Sequence, residues 1–207
     1  MAETISIAAA ADLSHPLCSV RRGPACARAS VRVAPASRAA PPLWLGLPLP
    51  DEPLTSTVAG SRAALWLGPD EWLVLDWQAR DRTEAVSTAD TSGHLASIVD
   101  ISDRQVAIIL EGSAAGDLLN AGCPLDLTPG AFAVGAVART VFCRAEIIVW
   151  RQASDRLHIE VARSLGDYVW RVLELAHADL VIDAAGSAAR SDLPPPTVKH
   201  KDNARHA

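Results

Sequence analysis

Acidic and hydroxyl side chains cluster at one short segment that could carry chemistry. Asp100, Ser102 and Asp103 lie within four consecutive positions, and Asp126 follows further along the chain. Carboxylates grouped in this way can act as general acids or bases. Asp and Ser at the end of an apolar run also bond to the local backbone, and we predict that structural role here. A buried carboxylate with a raised pKa stays open as the alternative.

Histidine and cysteine, the other residue types that do chemistry, are scattered. We expect His158 on the polar face of a strand and His177 at the end of a helix, where a cation interacts well with the helix dipole. No pair of cysteines has CxxC spacing, so we predict reduced thiols rather than disulfides or a zinc site. The four cysteines are Cys18, Cys26, Cys123 and Cys143.

Sequence signatures of nucleotide, hydrolase and metalloprotease sites are also missing. The chain has no GxGxxG, Walker, GxSxG or HExxH segment. Gly112, Gly116 and Gly122 are too loosely spaced to form a phosphate-binding loop. We therefore predict no catalytic residue, no cofactor-binding residue and no metal ligand in this chain.

Composition narrows the classes of partner. The chain has 207 residues, 49% of them apolar, and a net charge of −5. An acidic balance argues against a nucleic-acid partner. No run reaches the roughly 18 apolar residues that cross a bilayer, and Glu3 stands where a secretory signal would be basic. We expect a cytoplasmic protein with no membrane partner.

Three zones differ in composition along the chain. Residues 1–61 are rich in Pro and Arg and are predicted to form an extended arm, with one short strand at Cys26–Val33. Residues 62–182 are dense in apolar side chains and are predicted to form the folded body. Residues 183–207 turn to Ala, Ser, Pro and charge, which predicts a disordered tail.

A β-hairpin is the first element of the predicted body. The apolar runs Ala63–Leu67 and Trp72–Trp77 flank the turn Gly68–Glu71. Both faces of the hairpin are apolar, so we expect both to be covered. Further strands are predicted at Ala96–Ile101, Gln105–Leu110, Val137–Phe142, Ile147–Trp150 and Leu157–Val161, and the last of these alternates as a half-buried strand does.

Helices are predicted at three places. A polar helix covers Asp81–Asp90, and a short helix at Ala114–Asn120 is capped by Ser113. A longer helix begins at Ser164, and its apolar residues form one stripe: Leu165, Tyr168, Val169, Val172, Leu173 and Ala176. The order of elements predicts an α+β fold, a split βαβ (ferredoxin-like) sheet with helices on one face, plus the N-terminal hairpin and extended arm.

Tryptophan supplies the candidate contact residues. Trp170 falls about 120° away from the centre of the predicted stripe at roughly 100° per residue, so it cannot easily reach the core of the domain. Buried aromatic side chains are typical anchors of interfaces. We predict five partner-contact residues: Trp44, Trp66, Trp72, Trp77 and Trp170.

Four stretches in this order resemble the gamma subunit of heterotetrameric sarcosine oxidase. The resemblance runs from about residue 62 to residue 178. The stretches are Leu67–Val74 (LGPDEWLV), Ser97–Ala107 (SIVDISDRQVA), Ala121–Leu127 (AGCPLDL) leading into Val134-Gly135 and Ala138–Val141 (ARTV), and Val161–Trp170 (VARSLGDYVW).

The resemblance implies a structural subunit without its own active site. The complex oxidatively demethylates sarcosine to glycine and produces hydrogen peroxide with formaldehyde or 5,10-methylenetetrahydrofolate. FAD, FMN, NAD, zinc and tetrahydrofolate are expected on the alpha, beta and delta subunits, which would be the partners. The implied fold is similar to part of the glycine-cleavage T-protein and folate-binding family.

A departure and an alternative accompany the resemblance. The family often has His at the position of Asp103, so no role is carried over to that residue. The alternative is a stand-alone folate-binding or aminomethyltransferase-like protein. The related folate-binding proteins of iron–sulfur repair carry a Lys-Gly-Cys signature that this chain lacks, which counts against the alternative.

Overall fold

The computed structural model describes residues 11–34, 47–78 and 96–191. The strands are β1 (Ser19–Arg22), β2 (Ala27–Val33), β3 (Ser56–Ala59), β4 (Arg62–Gly68), β5 (Glu71–Asp76), β6 (Ala96–Asp100), β7 (Gln105–Glu111), β8 (Val137–Phe142), β9 (Ala145–Ala153) and β10 (Arg156–Ala162). The helices are α1 (Ala115–Asn120) and α2 (Arg163–Ser191).

The strands form two five-stranded sheets. Sheet A has the order β1-β7-β10-β9-β8 and sheet B has the order β3-β4-β5-β2-β6. Every pairing is antiparallel. The α+β class predicted from the sequence is confirmed. The arrangement differs from a single split βαβ sheet, because β7 and β8 run antiparallel with two strands between them.

Three apolar layers hold the sheets and helices together. The helices cover one face of sheet A, where Leu119 of α1 and Leu173 of α2 join the largest core cluster. A second cluster lies between the sheets and joins Leu65 and Leu73 of sheet B to Ile148 of sheet A. The third covers the outer face of sheet B with residues such as Val31, Val74 and Leu47. The fold is therefore a sheet-on-sheet layer with helices on one side.

The predicted hairpin is confirmed as β4 and β5. Leu65 pairs with Leu73, and Trp66 pairs with Trp72. Because successive side chains alternate between faces, one face of the hairpin packs towards sheet A and the other joins the outer cluster. This arrangement explains why the hairpin is apolar on both faces.

Much of the predicted arm belongs to the sheets. β1 pairs with β7 at the edge of sheet A, and β2 lies between β5 and β6 inside sheet B. The predicted strand at Cys26–Val33 is thus confirmed, but it is a paired internal strand rather than part of a separate arm. Composition misled here because Arg and Ala in β2 hide its alternation of buried and exposed positions.

Both described helices differ in detail from their sequence predictions. α2 continues to Ser191, so residues 183–191 are helical and not a disordered tail. α1 begins after Ala114, without a side-chain cap from Ser113. The polar helix predicted at Asp81–Asp90 and residues 192–207 lie outside the described residues. None of the described helices combines the length and apolarity needed to span a bilayer.

Gly112 ends β7 at a conformation that suits glycine, with a φ of +138°. A Cβ at this position would meet the carbonyl oxygen of Leu17 and lie 2.8 Å from the Cα of Cys18. We expect Gly112→Ala to lower the free energy of unfolding by about 3 kcal/mol, through backbone strain and overpacking. Urea unfolding of the full-length chain measures the change.

Gly130→Ala is the matched control, because a Cβ there meets nothing within 4 Å. We expect this control to change stability by less than about 0.5 kcal/mol. Equal effects of the two substitutions would contradict the account of Gly112.

Candidate functional site

A buried cluster of ionisable side chains connects the two sheets. Arg28 of β2 donates from Nε to Glu160 Oε2 over 2.7 Å and from Nη2 to Glu160 Oε1 over 3.2 Å. His158 lies two positions before Glu160 on β10, and its Nε2 is 2.7 Å from Glu160 Oε1. The Glu160 side chain is 0% exposed and that of Arg28 is 6% exposed. We call these three residues the inter-sheet charge cluster.

Electrostatics keep Glu160 ionised within the interior. Burial alone would raise the pKa of the Glu160 carboxyl, but the hydrogen bond and charge of His158, followed by those of Arg28, outweigh it and lower that pKa below its usual range. A carboxylate can only accept hydrogen bonds, so His158 donates from Nε2. Both oxygens of Glu160 are occupied, which leaves it poorly suited to act as a general base.

The turn after β6 fixes the position of Arg28. Ser102 Oγ accepts from the backbone N–H of Arg28 over 2.9 Å, and the backbone N–H of Ile101 donates to the carbonyl of Arg28 over 2.9 Å. Asp100 Oδ1 in turn accepts from the amide and hydroxyl of Ser102 at 2.8 and 2.6 Å. The structural role predicted for the Asp100–Asp103 turn is confirmed.

The two other candidate carboxylates are engaged in local contacts. Asp103 pairs with Arg163 at 3.3 Å on the surface. Asp126 Oδ1 accepts from the backbone N–H of Thr128 over 2.9 Å, and that bond lowers the pKa of the Asp126 carboxyl.

Two histidines differ from their sequence predictions. His158 is 1% exposed, because both faces of β10 are covered and the strand is not half-buried. His177 lies in the middle of α2, not at a helix end, and its Nε2 is 3.1 Å from the carbonyl oxygen of Cys18. The alternation rule failed at β10 since it assigns polar side chains to solvent. The hairpin, apolar on both faces, was a signal that both of its faces had to be covered, by the domain itself or by a partner.

Burial makes two of the cysteines poor nucleophiles. Burial raises the pKa of the Cys26 thiol to about 11, and it raises that of Cys18 to about 11 as well. Thiols with such values hold little thiolate at neutral pH. Across the described ranges, no group of three or more His, Cys, Asp or Glu side chains is placed to hold a metal ion.

Two spaces flank the inter-sheet charge cluster. A cavity of about 140 Å³ lies on the Glu160 side, with Arg104 and Arg139 among its walls. An open groove of about 390 Å³ lies on the His158 side, with Trp77 and Trp150 among its walls. His158 Nδ1 is buried and has no hydrogen-bond partner within the part of the chain that the structure describes.

The hairpin tryptophans lie in different environments. Trp72 is buried in the outer cluster of sheet B, and its Nε1 donates to the Pro50 carbonyl over 2.8 Å. Trp66 is half-buried against the same cluster. Trp77 is half-buried and stacks on Trp150 with ring centroids 6.3 Å apart. Their roles as partner contacts stay predictions, and Trp44 lies outside the described residues.

Trp170 reaches the core, contrary to the sequence prediction. It is 2% exposed within the core cluster of sheet A, and its Nε1 donates to Glu174 over 3.1 Å. The buried side of α2 is centred nearer to Trp170 than the predicted stripe is. Between residues 163 and 184, its buried members are Gly166, Val169, Trp170, Leu173 and His177. The predicted stripe had combined residues from this buried side with others that face outward.

Comparisons with known proteins agree with this fold. Residues 29–179 match the model of the "Sarcosine oxidase, gamma subunit family". A curated sarcosine oxidase subunit gamma from Arthrobacter sp. is 31% identical over 134 residues, which are 62% of this chain and 64% of that protein. The match therefore spans less than two thirds of that relative.

Two solved structures contain chains that are similar in fold to this one. The heterotetrameric sarcosine oxidase from Corynebacterium sp. U-96, in complex with pyrrole 2-carboxylate, contains a chain with a TM-score of 0.74 and 25% identity, covering 84% of this chain and 95% of that one. The glycine cleavage system aminomethyltransferase T from Bartonella henselae has a TM-score of 0.56 at 12% identity over 74% of this chain and 44% of that one, a likeness of fold alone. With the family model matching most of its length, this chain belongs to the sarcosine oxidase gamma subunit family.

Proposed function

We propose that this chain is a non-catalytic structural subunit of a heterotetrameric sarcosine oxidase. The observation that carries the proposal is the likeness to a chain of a solved heterotetramer, which extends over nearly all of that chain. In this assignment the complex demethylates sarcosine to glycine, with hydrogen peroxide and formaldehyde or 5,10-methylenetetrahydrofolate as products.

The chemistry of the interior supports a structural role. Ionised Glu160 has its oxygens occupied by Arg28 and His158, and the thiols of Cys18 and Cys26 have raised pKa values. A general base or nucleophile needs a pKa and an accessible site suited to proton transfer or attack. The proposal therefore assigns FAD, FMN, NAD, zinc and tetrahydrofolate to the other subunits.

Partner contact is proposed on the basis of exposed apolar surface. Large aliphatic side chains such as Val58, Val99 and Leu175 are more than half exposed. Trp66 of β4 and Trp77, the residue after β5, are half-buried and could lose further surface to a partner. We assign the alpha, beta and delta subunits as the partners and the cytoplasm as the site of assembly.

Co-expression tests the proposal directly. We expect the chain to give little soluble product when expressed alone, and several times more when the alpha subunit is co-expressed, because alpha would cover its exposed apolar surface. Soluble yield and size-exclusion chromatography measure the effect. The assignment would be contradicted by a stable, monodisperse monomer whose soluble yield does not change when the alpha subunit is co-expressed. Calorimetric binding of tetrahydrofolate by the lone chain would instead favour a stand-alone folate-binding protein.

A further inference from the structure

α2 has a second apolar face that is largely exposed. Its buried side packs on sheet A through Trp170 and Leu173. On the outward side, Leu175 is 70% exposed and Ile182 is 67% exposed. Leu165 and Tyr168 are more than a third exposed on the same side. An amphipathic helix that needed only one interface would carry polar residues there.

The outward residues follow the spacing of a helix–helix contact. Six positions along this side of the helix are separated by alternating steps of three and four residues, and five of the six are apolar. The positions are Leu165, Tyr168, Val172, Leu175, Asp179 and Ile182, which we call the outward face of α2. Val172 lies at the border of this face and also packs against the core cluster of sheet A. Alternation of three and four is the heptad pattern that keeps one seam turned towards a second helix.

Acidic side chains border the outward face. A groove of about 430 Å³ lies between α1 and α2, with Val172 and Leu175 in its walls. Asp117, Asp179 and Asp183 also line this groove. None of the three carboxylates forms a salt bridge with another residue in the described part of the chain. The groove therefore combines an apolar floor with carboxylates that form no salt bridge among the described residues.

We propose that the outward face of α2 docks one amphipathic helix of a partner subunit, with a Lys or Arg of that helix opposite Asp179. The inference rests on the proposed function, because it takes the partner from the same complex. A second copy of this chain would place the Asp179 and Asp183 carboxylates against like charges, and an anionic membrane would repel them.

Binding of full-length variants to a purified alpha–beta–delta assembly tests the docking surface. We expect Leu175→Glu to weaken binding at least tenfold, because a carboxylate would replace an apolar side chain inside the contact. Val134→Glu is the matched control, since Val134 is 59% exposed and lies outside α2. We expect that control to stay within twofold of wild type. Interferometry gives the affinities, and thermal unfolding checks that both variants are folded.

The outcomes separate the inference from the proposed function. If wild-type chain fails to bind the assembly, the proposed function is overturned and this inference with it. If wild type binds and Leu175→Glu binds equally well, or if the two variants lose affinity equally, the docking face alone is overturned.

Two further measurements identify the occupant. Asp179→Leu is expected to weaken binding at least fivefold and to reduce its dependence on salt, because the partner's basic group loses its counter-charge. Tighter binding by that variant would overturn the basic partner. A photo-crosslinking amino acid at position 175 is expected to label one helical segment of alpha, beta or delta. Labelling of a second copy of this chain would overturn the assignment to a partner subunit.

Discussion

Replacing Arg28 with methionine is expected to destabilise the chain by about 3–5 kcal/mol, the typical cost of leaving one member of a buried ion pair without its partner. Glu160 is 0% exposed, so water cannot replace the two hydrogen bonds that Arg28 supplies. The loss should separate the sheets as well as lower stability, since Arg28 is on sheet B and Glu160 is on sheet A. Urea unfolding of the full-length chain, followed by tryptophan fluorescence, measures it.

Arg32→Met is the matched control, four residues along the same strand. Arg32 pairs with Glu71 at 2.9 Å, but its side chain is 56% exposed. Exposed ion pairs contribute about 0–1 kcal/mol, so we expect the control to lose no more than that. A similar loss in both variants would show that burial of the inter-sheet charge cluster has no special energetic role.

A paired replacement separates the ion pair from its packing. Arg28→Met combined with Glu160→Leu removes both members of the Arg–Glu pair, so neither is left in the interior without the other. We expect the double variant to be clearly more stable than Arg28→Met alone, because residues in direct contact do not contribute additively. If the double variant were less stable than either single variant, packing rather than charge would hold the sheets together at this point.

The sequence predicts the elements of this fold far better than it predicts their assembly. The hairpin at Ala63–Leu67 and Trp72–Trp77 was recognisable because turn residues and apolar runs are local signals. Assigning β2 to a sheet needed long-range information, since its partners β5 and β6 come much later in the chain. Local composition therefore suggested an arm where the structure has an internal strand.

The inter-sheet charge cluster was hidden for the same reason. Alternation along β10 predicted that His158 and Glu160 face solvent, which holds for a sheet with one open face. Sheet B covers that face, and it supplies Arg28 from 132 residues earlier in the chain. Local roles were easier to predict, as Asp100 and Ser102 show, because the hydrogen bonds between these two residues lie within one turn.

Trp170→Ala is expected to lower the free energy of unfolding by about 3–5 kcal/mol, through lost burial and the cavity that remains. The prediction depends on which face of α2 packs against sheet A. Trp170 is 2% exposed in the core of sheet A, whereas Leu175 on the outward face is 70% exposed. Leu175→Ala in the lone chain should therefore change stability by less than about 0.5 kcal/mol. Urea unfolding of both variants provides the comparison.

The two faces of α2 should respond in opposite ways when a partner is present. Trp170→Ala removes packing inside the chain, so its stability loss should persist within the assembled complex. A change at Leu175 should leave the lone chain stable and reduce its affinity for the complex. A stable Trp170→Ala chain that fails only to assemble would reverse these roles, and would place the partner on the side of the helix that we assign to the core.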